Sequence, residues 1–301
     1  MPNASVVSHL LSVSSQSEIL FIVGPTAVGK SAVAVEVARQ CNGEIVSCDA
    51  MQVYREANIV SDKPPAVMRA AAAHHLIDVV SVEDEFNAAR YRVLAVAAIE
   101  DILRRGRKPV VCGGAGMYMM AILDGLFEGG AADLRLRLAL EARVKSEGLA
   151  GLHEELSSLD PDAAAKIDPN DPVRIIRALE VVTTTGMRIS EQQHRRDGLW
   201  GKYQISIAGL VRPRDVLYAR AEARIDEMFA RGLVDEVTML LGKRLTATTA
   251  RLIGIPEVSG VLRGEWDLAR AKYLMKLNTR HYIKRQLTWF RKDKRVEWTD
   301  L

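Results

Sequence analysis

Along the first part of the chain, short apolar runs alternate with longer segments in which apolar residues recur every three to four positions. Residues 18–23 (EILFIV) read as a buried strand, 30–40 as the helix that follows, and 44–49 (EIVSCD) as a second strand ending on an acid. A helix is predicted over 87–105, with its apolar face at Ala88, Tyr91, Val93, Leu94, Ala97, Ala98 and Ile102 and Gly106 closing it. A strand over 108–114 (KPVVCGG) comes next. Strands alternating with helices imply parallel βαβ units, so the fold class is α/β, a parallel sheet flanked by helices. Ligands of such sheets bind at the carboxyl ends of the strands.

The strand signals stop after LDGLFEGGAADL (123–134), and from about 134 to 196 the chain reads as helices broken by the Pro- and Asp-rich LDPDAAAKIDPNDP (159–172). One strand-like run, YQISIAGLV (203–211), returns the chain to the sheet, and helices are predicted over 215–241, 246–263 and 267–290. The expected organisation is a core of residues 18–128 and 203–301, an all-helical insertion at 129–202, and a mobile polar tail at 1–17.

Composition narrows the setting without naming a function. The 301 residues are 48% hydrophobic and 26% charged, which is ordinary for a globular protein. Cys41, Cys48 and Cys112 share no metal-ligand spacing and are odd in number, which suggests a reducing compartment and a cytoplasmic location. No leader pattern and no membrane-length apolar run is present in the sequence. The net charge of +3 says little, but residues 272–295 are densely basic and interleaved with aromatics. That combination suits a phosphate backbone with stackable bases, and it equally describes an amphipathic helix with a solvated cationic face.

The strongest chemical signal is Gly24-Pro25-Thr26-Ala27-Val28-Gly29-Lys30-Ser31, a G-x-x-x-x-G-K-[ST] loop with a strand before it and a helix after it. Its backbone N–H groups and the helix start cradle phosphate oxygens, Lys30 adds a mobile charge, and the Ser31 hydroxyl is placed to ligate Mg²⁺. The sheet is therefore expected to be P-loop NTPase-like. The strand at 108–114 ends in Cys112-Gly113-Gly114, with no acid where a nucleotide kinase usually carries one. The acid at hand is Asp49, which is either a proton acceptor beside the phosphates or a turn cap. Adjacent His74 and His75 point apart on one backbone and have no third ligand at metal spacing.

Taken together, GPTAVGKS, SCDAMQVYR (47–55), HHLID (74–78), GRKPVVCGGAGMY (106–118), DPNDPVRIIRALEV (168–181), LYARAEARIDEMFARGLVDEV (217–237) and NTRHYIKRQLTWFR (278–291) resemble the tRNA dimethylallyltransferase family. The resemblance runs in family order from about residue 19 onward. It implies transfer of a dimethylallyl group from dimethylallyl diphosphate, with Mg²⁺, to N6 of the adenosine 3′ of the anticodon in tRNAs reading codons that start with U. The loop would then hold a diphosphate leaving group. By resemblance, Asp49 is the base and Thr26 and Arg220 hold diphosphate oxygens, although spacing alone favours reading Arg220 as a surface ion-pair partner. The resemblance also assigns tRNA contacts to Asp49, Ala50, Met51, Gln52, Ala115, Arg137, Val173, Arg174, Ile175, Ile176 and Arg177, making the insertion a clamp on the anticodon stem-loop. It implies no obligate protein partner and no membrane, and a monomer is expected.

Three positions depart from the family pattern. Ala115 stands where a threonine is common, Ile255-Pro256 follow Gly254 where Tyr-Arg is common, and Val60-Ser61-Asp62-Lys63-Pro64 replaces Gly-Thr-Ala-Lys-Pro. None falls in the phosphate loop or on Asp49 or Arg220. The alternative reading is a small-molecule P-loop kinase or an enzyme that prenylates a free adenine nucleotide.

Overall fold

In the computed structural model, which describes residues 4–126, 134–192 and 197–301, the chain opens with a helix rather than the expected mobile tail. Helix α1 (Ala4–Ser15) buries Val6, Val7 and Leu10 against the side of the sheet that also holds Leu20, Ile22, Val33 and Leu210. The apolar positions recur at helical spacing and Ser5, Ser8 and His9 fall outside the stripe, so the segment is amphipathic despite its serines. Lys108 fastens its end by donating to the carbonyls of Ser14 (2.7 Å) and Ser17.

The core then runs β1 (Ile19–Val23), α2 (Lys30–Gln40), β2 (Gly43–Cys48), α3 (Ala66–Ala71), β3 (His74–His75), α4 (Ala88–Arg104), β4 (Lys108–Gly113) and α5 (Gly116–Leu123). A second compact unit, Asp124–Gly198, carries α6 (Leu134–Glu147), α7 (Leu149–Leu159), α8 (Pro161–Ala164), α9 (Pro172–Thr185) and α10 (Ile189–Gln192). The core resumes with β5 (Ile205–Val211), α11 (Arg214–Ala230), α12 (Leu233–Leu241), a short 3-10 turn at Thr249–Arg251, α13 (Ile255–Leu262), α14 (Leu268–Arg291) and β6 (Val296–Asp300). Residue 129, the expected start of the insertion, lies outside the described residues. No helix among the described residues is long and apolar enough to cross a membrane.

Every strand pairs in parallel, in the order β3-β2-β4-β1-β5-β6, so the fold is the expected α/β sheet with two additional edge strands. β3 is two residues long and β6 follows a basic helix with mixed polar residues, which is why neither stands out by periodicity. All five residues of β1 are buried, as a central parallel strand covered on both faces requires. Its carboxyl end, between β4 and β5, delivers the phosphate loop to the middle of the sheet edge.

The predicted helix at 87–105 is present, with Asn87 accepting from the Arg90 N–H as its cap. Its buried stripe is rotated from the expected one: Tyr91, Ala95, Ile99 and Ile102 face inward, and Val93 is 65% exposed. Gly232, at a φ of 94°, divides the helix expected over 215–241 into α11 and α12. In the insertion, Leu140, Leu152, Leu156, Ile175, Ile176 and Leu179 make a separate core. Asp171 caps α9 by accepting from the Arg174 N–H, with Pro172 at its first turn.

Far from the strand carboxyl ends, Glu44 at the start of β2 is buried and accepts from Arg105, Arg107 and His75, tying β2 to the α4–β4 turn and to β3. The Arg105 hydrogen bonds, reinforced by His75 and Arg107 and opposed by burial, hold its carboxyl well below the usual glutamate range.

Two stability experiments follow from these contacts. Leu10→Ala is expected to lower the unfolding free energy by about 2–4 kcal/mol, since Leu10 is fully buried, and a denaturant titration that leaves the midpoint unchanged would mean α1 is not part of the core. For Glu44, a depressed native pKa stabilises the fold above the ordinary glutamate value of about 4.3, and that contribution falls away as the pH drops toward the native pKa. Glu44→Gln should cost about 2 kcal/mol at pH 7, near the low end for a broken buried pair because both guanidiniums are partly exposed, and the gap to wild type should narrow below about pH 4.

Candidate functional site

The loop between β1 and α2 is built by backbone strain and by cations from distant elements. Gly24 adopts a φ of 145°, and a Cβ there would stand 2.5 Å from the Leu210 carbonyl of the neighbouring strand, so only glycine fits. Ala27 also lies in the left-handed region, at a φ of 65°. Three loop carbonyls are held by basic side chains: Pro25 by Lys30 Nζ (2.8 Å), Ala27 by Arg220 Nε (2.8 Å) and Val28 by Arg212 Nε (3.0 Å). Each of these contacts fixes the orientation of one peptide group of the loop.

Thr26 is held through its backbone. Its N–H donates to Gln286 Oε1 at 2.8 Å, and Gln286 Nε2 donates to the Gly114 carbonyl at 2.9 Å. Gln286, on α14 and buried, is thus a strut between the phosphate loop and the turn after β4. It approaches so closely that a Cβ on Gly114 would collide with its amide, and one on Gly116 would collide with Trp289 one turn further along α14. The Gly113–Gly116 run and the KRQLTWFR segment are two halves of one contact.

Asp49 stands at the carboxyl end of β2. Its Oδ1 accepts from the N–H groups of Met51 (2.8 Å) and Gln52 (3.3 Å), and Oδ2 has no hydrogen bond among the described residues. The two readings left open by the sequence are therefore compatible: one oxygen caps the turn and fixes the carboxylate, and the other is available to a substrate. Thr26, Ala27, Gly29, Lys30, Ser31, Asp49, Ala50, Met51, Gln52 and Arg220 line one cavity of about 680 Å³. Burial holds the Lys30 ammonium below its ordinary pKa, partly offset by Asp49. The same burial raises the thiols of Cys48 to about 12 and Cys112 to about 11, so neither is an activated nucleophile.

The cavity has an apolar side made by Met51, Ile225, Met228, Ile253 and Met275. Ala115 is not among its lining residues; its N–H donates to the Cys48 carbonyl (3.1 Å) and it packs on the core.

In the insertion, the expected RNA-contacting residues separate into two groups. Val173 and Arg174 are exposed at the start of α9, but Ile175 and Ile176 are buried in the insertion's core, where neither side chain presents a surface to RNA. This corrects the expectation for that pair: the helix alternates faces within one turn, so five consecutive residues do not share one surface. Arg137 and Arg177 both donate to the buried carboxylate of Glu180, at 2.9 and 3.0 Å.

Sequence reasoning missed Arg212, Gln286, Arg224 and Asp62. Gln286 lies inside a segment read for its charge and aromatics, and Arg212 follows a strand with no motif around it. Arg224 shares α11 with Arg220 at a spacing of four, the one available signal for a second guanidinium on the same face.

Comparisons with known proteins agree with this geometry. The family model described as IPP transferase matches residues 52–293. A tRNA dimethylallyltransferase 2 of Syntrophus aciditrophicus is 44% identical over 282 residues, covering 93% of this chain and 91% of the relative. The tRNA dimethylallyltransferase of Geobacter sulfurreducens is 42% identical over 288 residues, covering 95% and 93%. Among solved structures, a tRNA isopentenylpyrophosphate transferase from Bacillus halodurans superimposes with a TM-score of 0.68 at 39% identity, covering 94% of this chain and 89% of that one. A eukaryotic dimethylallyltransferase acting on tRNA gives a TM-score of 0.80 at 28% identity, covering 94% and 73%. With a family model matching residues 52–293 and relatives 44% and 42% identical over more than nine-tenths of its length, the chain belongs to the IPP transferase family.

Proposed function

We propose that this protein transfers a dimethylallyl group from dimethylallyl diphosphate to N6 of the adenosine 3′ of the anticodon in tRNAs that read codons beginning with U. The observation that carries the reading is the shared cavity: a diphosphate cradle, an anchored carboxylate with one open oxygen, and an apolar wall meet in one space. The names of the full-length relatives supply the substrate class.

In this reading the allylic C1–O bond breaks, its electron pair leaves on the diphosphate, and a C1–N6 bond forms while Asp49 takes a proton from the amine. Loop N–H groups, Lys30 and Arg220 stabilise charge that grows on the departing oxygen, and this is where electrostatic preorganisation acts most strongly. The apolar wall takes the five-carbon tail and keeps water from a carbon that becomes cationic. Asp49 is oriented in advance by the Met51 and Gln52 N–H groups, so its free oxygen needs no reorganisation to accept a proton.

Mg²⁺ belongs to the same proposal. Ser31 and Asp49 line the cavity with the loop, and no cluster of three or more His, Cys, Asp or Glu among the described residues would hold a metal alone. The Ser31 hydroxyl beside a diphosphate fits Mg²⁺, which takes few protein ligands and completes its shell with phosphate oxygens and water, so Asp49 keeps its open oxygen for the proton. When bound it would neutralise charge on the leaving group.

RNA contacts are assigned to Ala50, Met51 and Gln52 at the cavity and to Val173 and Arg174 on the insertion. On α14, Lys284, Arg285, Thr288, Arg291 and Lys292 fall on one exposed face, while Ile283, Leu287 and Phe290 are buried, so the helix has both a core face and a cationic one. Such a face suits the RNA backbone. In this reading the protein works on tRNA in the cytoplasm as a monomer.

The test is to incubate the protein with Mg²⁺, dimethylallyl diphosphate and an anticodon stem-loop carrying adjacent adenosines, and to weigh the RNA. A dimethylallyl mass gain is expected, and transfer to free adenosine monophosphate in its place would overturn the reading. Asp49→Asn keeps an oxygen to cap the turn but removes the base, so kcat should fall about 10²- to 10⁴-fold with little change in donor KM. Gln286→Met, which removes both ends of the strut at similar volume, should raise donor KM about tenfold or more; an unchanged donor KM would show that the loop is held without it.

A further inference from the structure

Arg224 follows Arg220 by one helical turn on α11, and both side chains line the cavity that contains Lys30 and Asp49. They are held in different ways. Arg220 donates Nε to the loop carbonyl of Ala27, whereas Arg224 donates Nη1 to Asp62 Oδ2 at 2.8 Å. The Nε of Arg224 is buried and has no hydrogen-bond partner among the described residues. A buried, unmatched N–H on a charged group is costly, and a partner missing from the protein points to one supplied by a ligand.

Asp62 is itself placed with unusual care. It adopts a φ of 51°, left-handed for a non-glycine residue, and its carbonyl accepts from Gln52 Nε2 at 3.3 Å. The loop beneath it is fastened from two sides. Glu236, on α12, accepts from the N–H groups of Asn58 (3.1 Å), Ile59 (2.8 Å) and Val60 (2.8 Å). Lys63, buried, donates to the Tyr54 carbonyl (2.7 Å), to Asn58 Oδ1 (3.0 Å) and to Asp78 Oδ1 (2.5 Å). A loop held this firmly sets the Asp62 carboxylate against Nη1 of Arg224, whose side chain lines the same cavity as Lys30, Arg220 and Asp49.

We propose that Arg224 is a further diphosphate-binding residue and that Asp62 is the positioning residue that orients its guanidinium toward the anion. The proposal rests on the reading that this cavity takes an allylic diphosphate. A guanidinium suits the task because its planar fork bonds the carboxylate along one edge and phosphate oxygens along another. Asp62 also places a negative charge near the site, so the pair fixes orientation at some expense of attraction, and its removal tests which effect dominates.

The experiment is calorimetric titration of the intact protein with inorganic pyrophosphate and Mg²⁺, alongside donor KM and stem-loop affinity. Arg224→Met should weaken pyrophosphate binding about tenfold to hundredfold and raise donor KM in parallel, leaving stem-loop affinity unchanged. Arg224→Lys, which keeps the charge and loses the fork, should fall between that variant and wild type; its thermal midpoint, with that of Arg224→Met, checks that the fold survives. Asp62→Asn should weaken pyrophosphate binding about threefold to tenfold, and the double variant should be no weaker than Arg224→Met alone, because Asp62 acts through Arg224. Pyrophosphate binding within twofold of wild type in a folded Arg224→Met or Arg224→Lys would overturn the proposal, as would full additivity in the double variant. If the wild type modifies no RNA yet these binding losses appear, the anion site stands and the prenyl-transfer reading falls.

Discussion

The structure depends on keeping a strained loop open at the carboxyl end of β1. A phosphate nest needs its N–H groups to converge, and a loop left to itself would satisfy its own carbonyls in other ways. Here the carbonyls of Pro25, Ala27 and Val28 are occupied by Lys30, Arg220 and Arg212. Two of those cations come from segments more than 180 residues along the chain, on either side of the β5–α11 junction. The return of the chain to the sheet after the insertion is therefore part of the site: β5 sets the wall that makes Gly24 obligatory, and the arginines that follow β5 hold the loop it borders.

Helix α14 completes the same frame from the opposite side. Gln286 and Trp289 lie one turn apart and press on Gly114 and Gly116, so a Cβ at either place would have to displace one of these side chains. The Thr26 N–H is held by the same glutamine that holds the Gly114 carbonyl. A helix whose outer face is cationic thus has an inner face fitted to both the diphosphate loop and the turn bearing Ala115.

The parts of the site legible in the sequence are those made by local rules. The phosphate loop announces itself because glycine, lysine and serine are needed at fixed offsets, and Asp49 because it ends an apolar run facing that loop. β1, β2, β4 and β5 are legible because buried parallel strands are continuous apolar runs. What is not legible depends on long-range pairing. β3 and β6 owe their existence to a neighbouring strand, and Gln286 and Arg212 gain their roles from carbonyl or N–H groups brought to them by the fold. The helix α1 was concealed by its serines, although Val6, Leu10 and Ser14 trace a buried stripe. Ile175 and Ile176 show the converse error: a motif treated as one contact surface is, on a helix, divided between surface and core.

The departures at Ile255 and Pro256 take on meaning in this light. Ile255 is 2% exposed and packs in the main core, and Pro256 sits in the first turn of α13, where a missing N–H has no cost. Glu257 accepts from the Gly254 N–H (2.7 Å) and from Asn278 Nδ2 (2.7 Å), tying that helix start to α14. Residues that elsewhere in the family pattern are aromatic and cationic here serve to begin a helix and seat it on the core. The cavity wall just before them, Arg251 to Ile253, remains lined by a cation and two aliphatic side chains. The Ile-Pro pair therefore leaves the cavity wall intact, and under the proposed function its effect would fall on acceptor recognition and not on the transfer step.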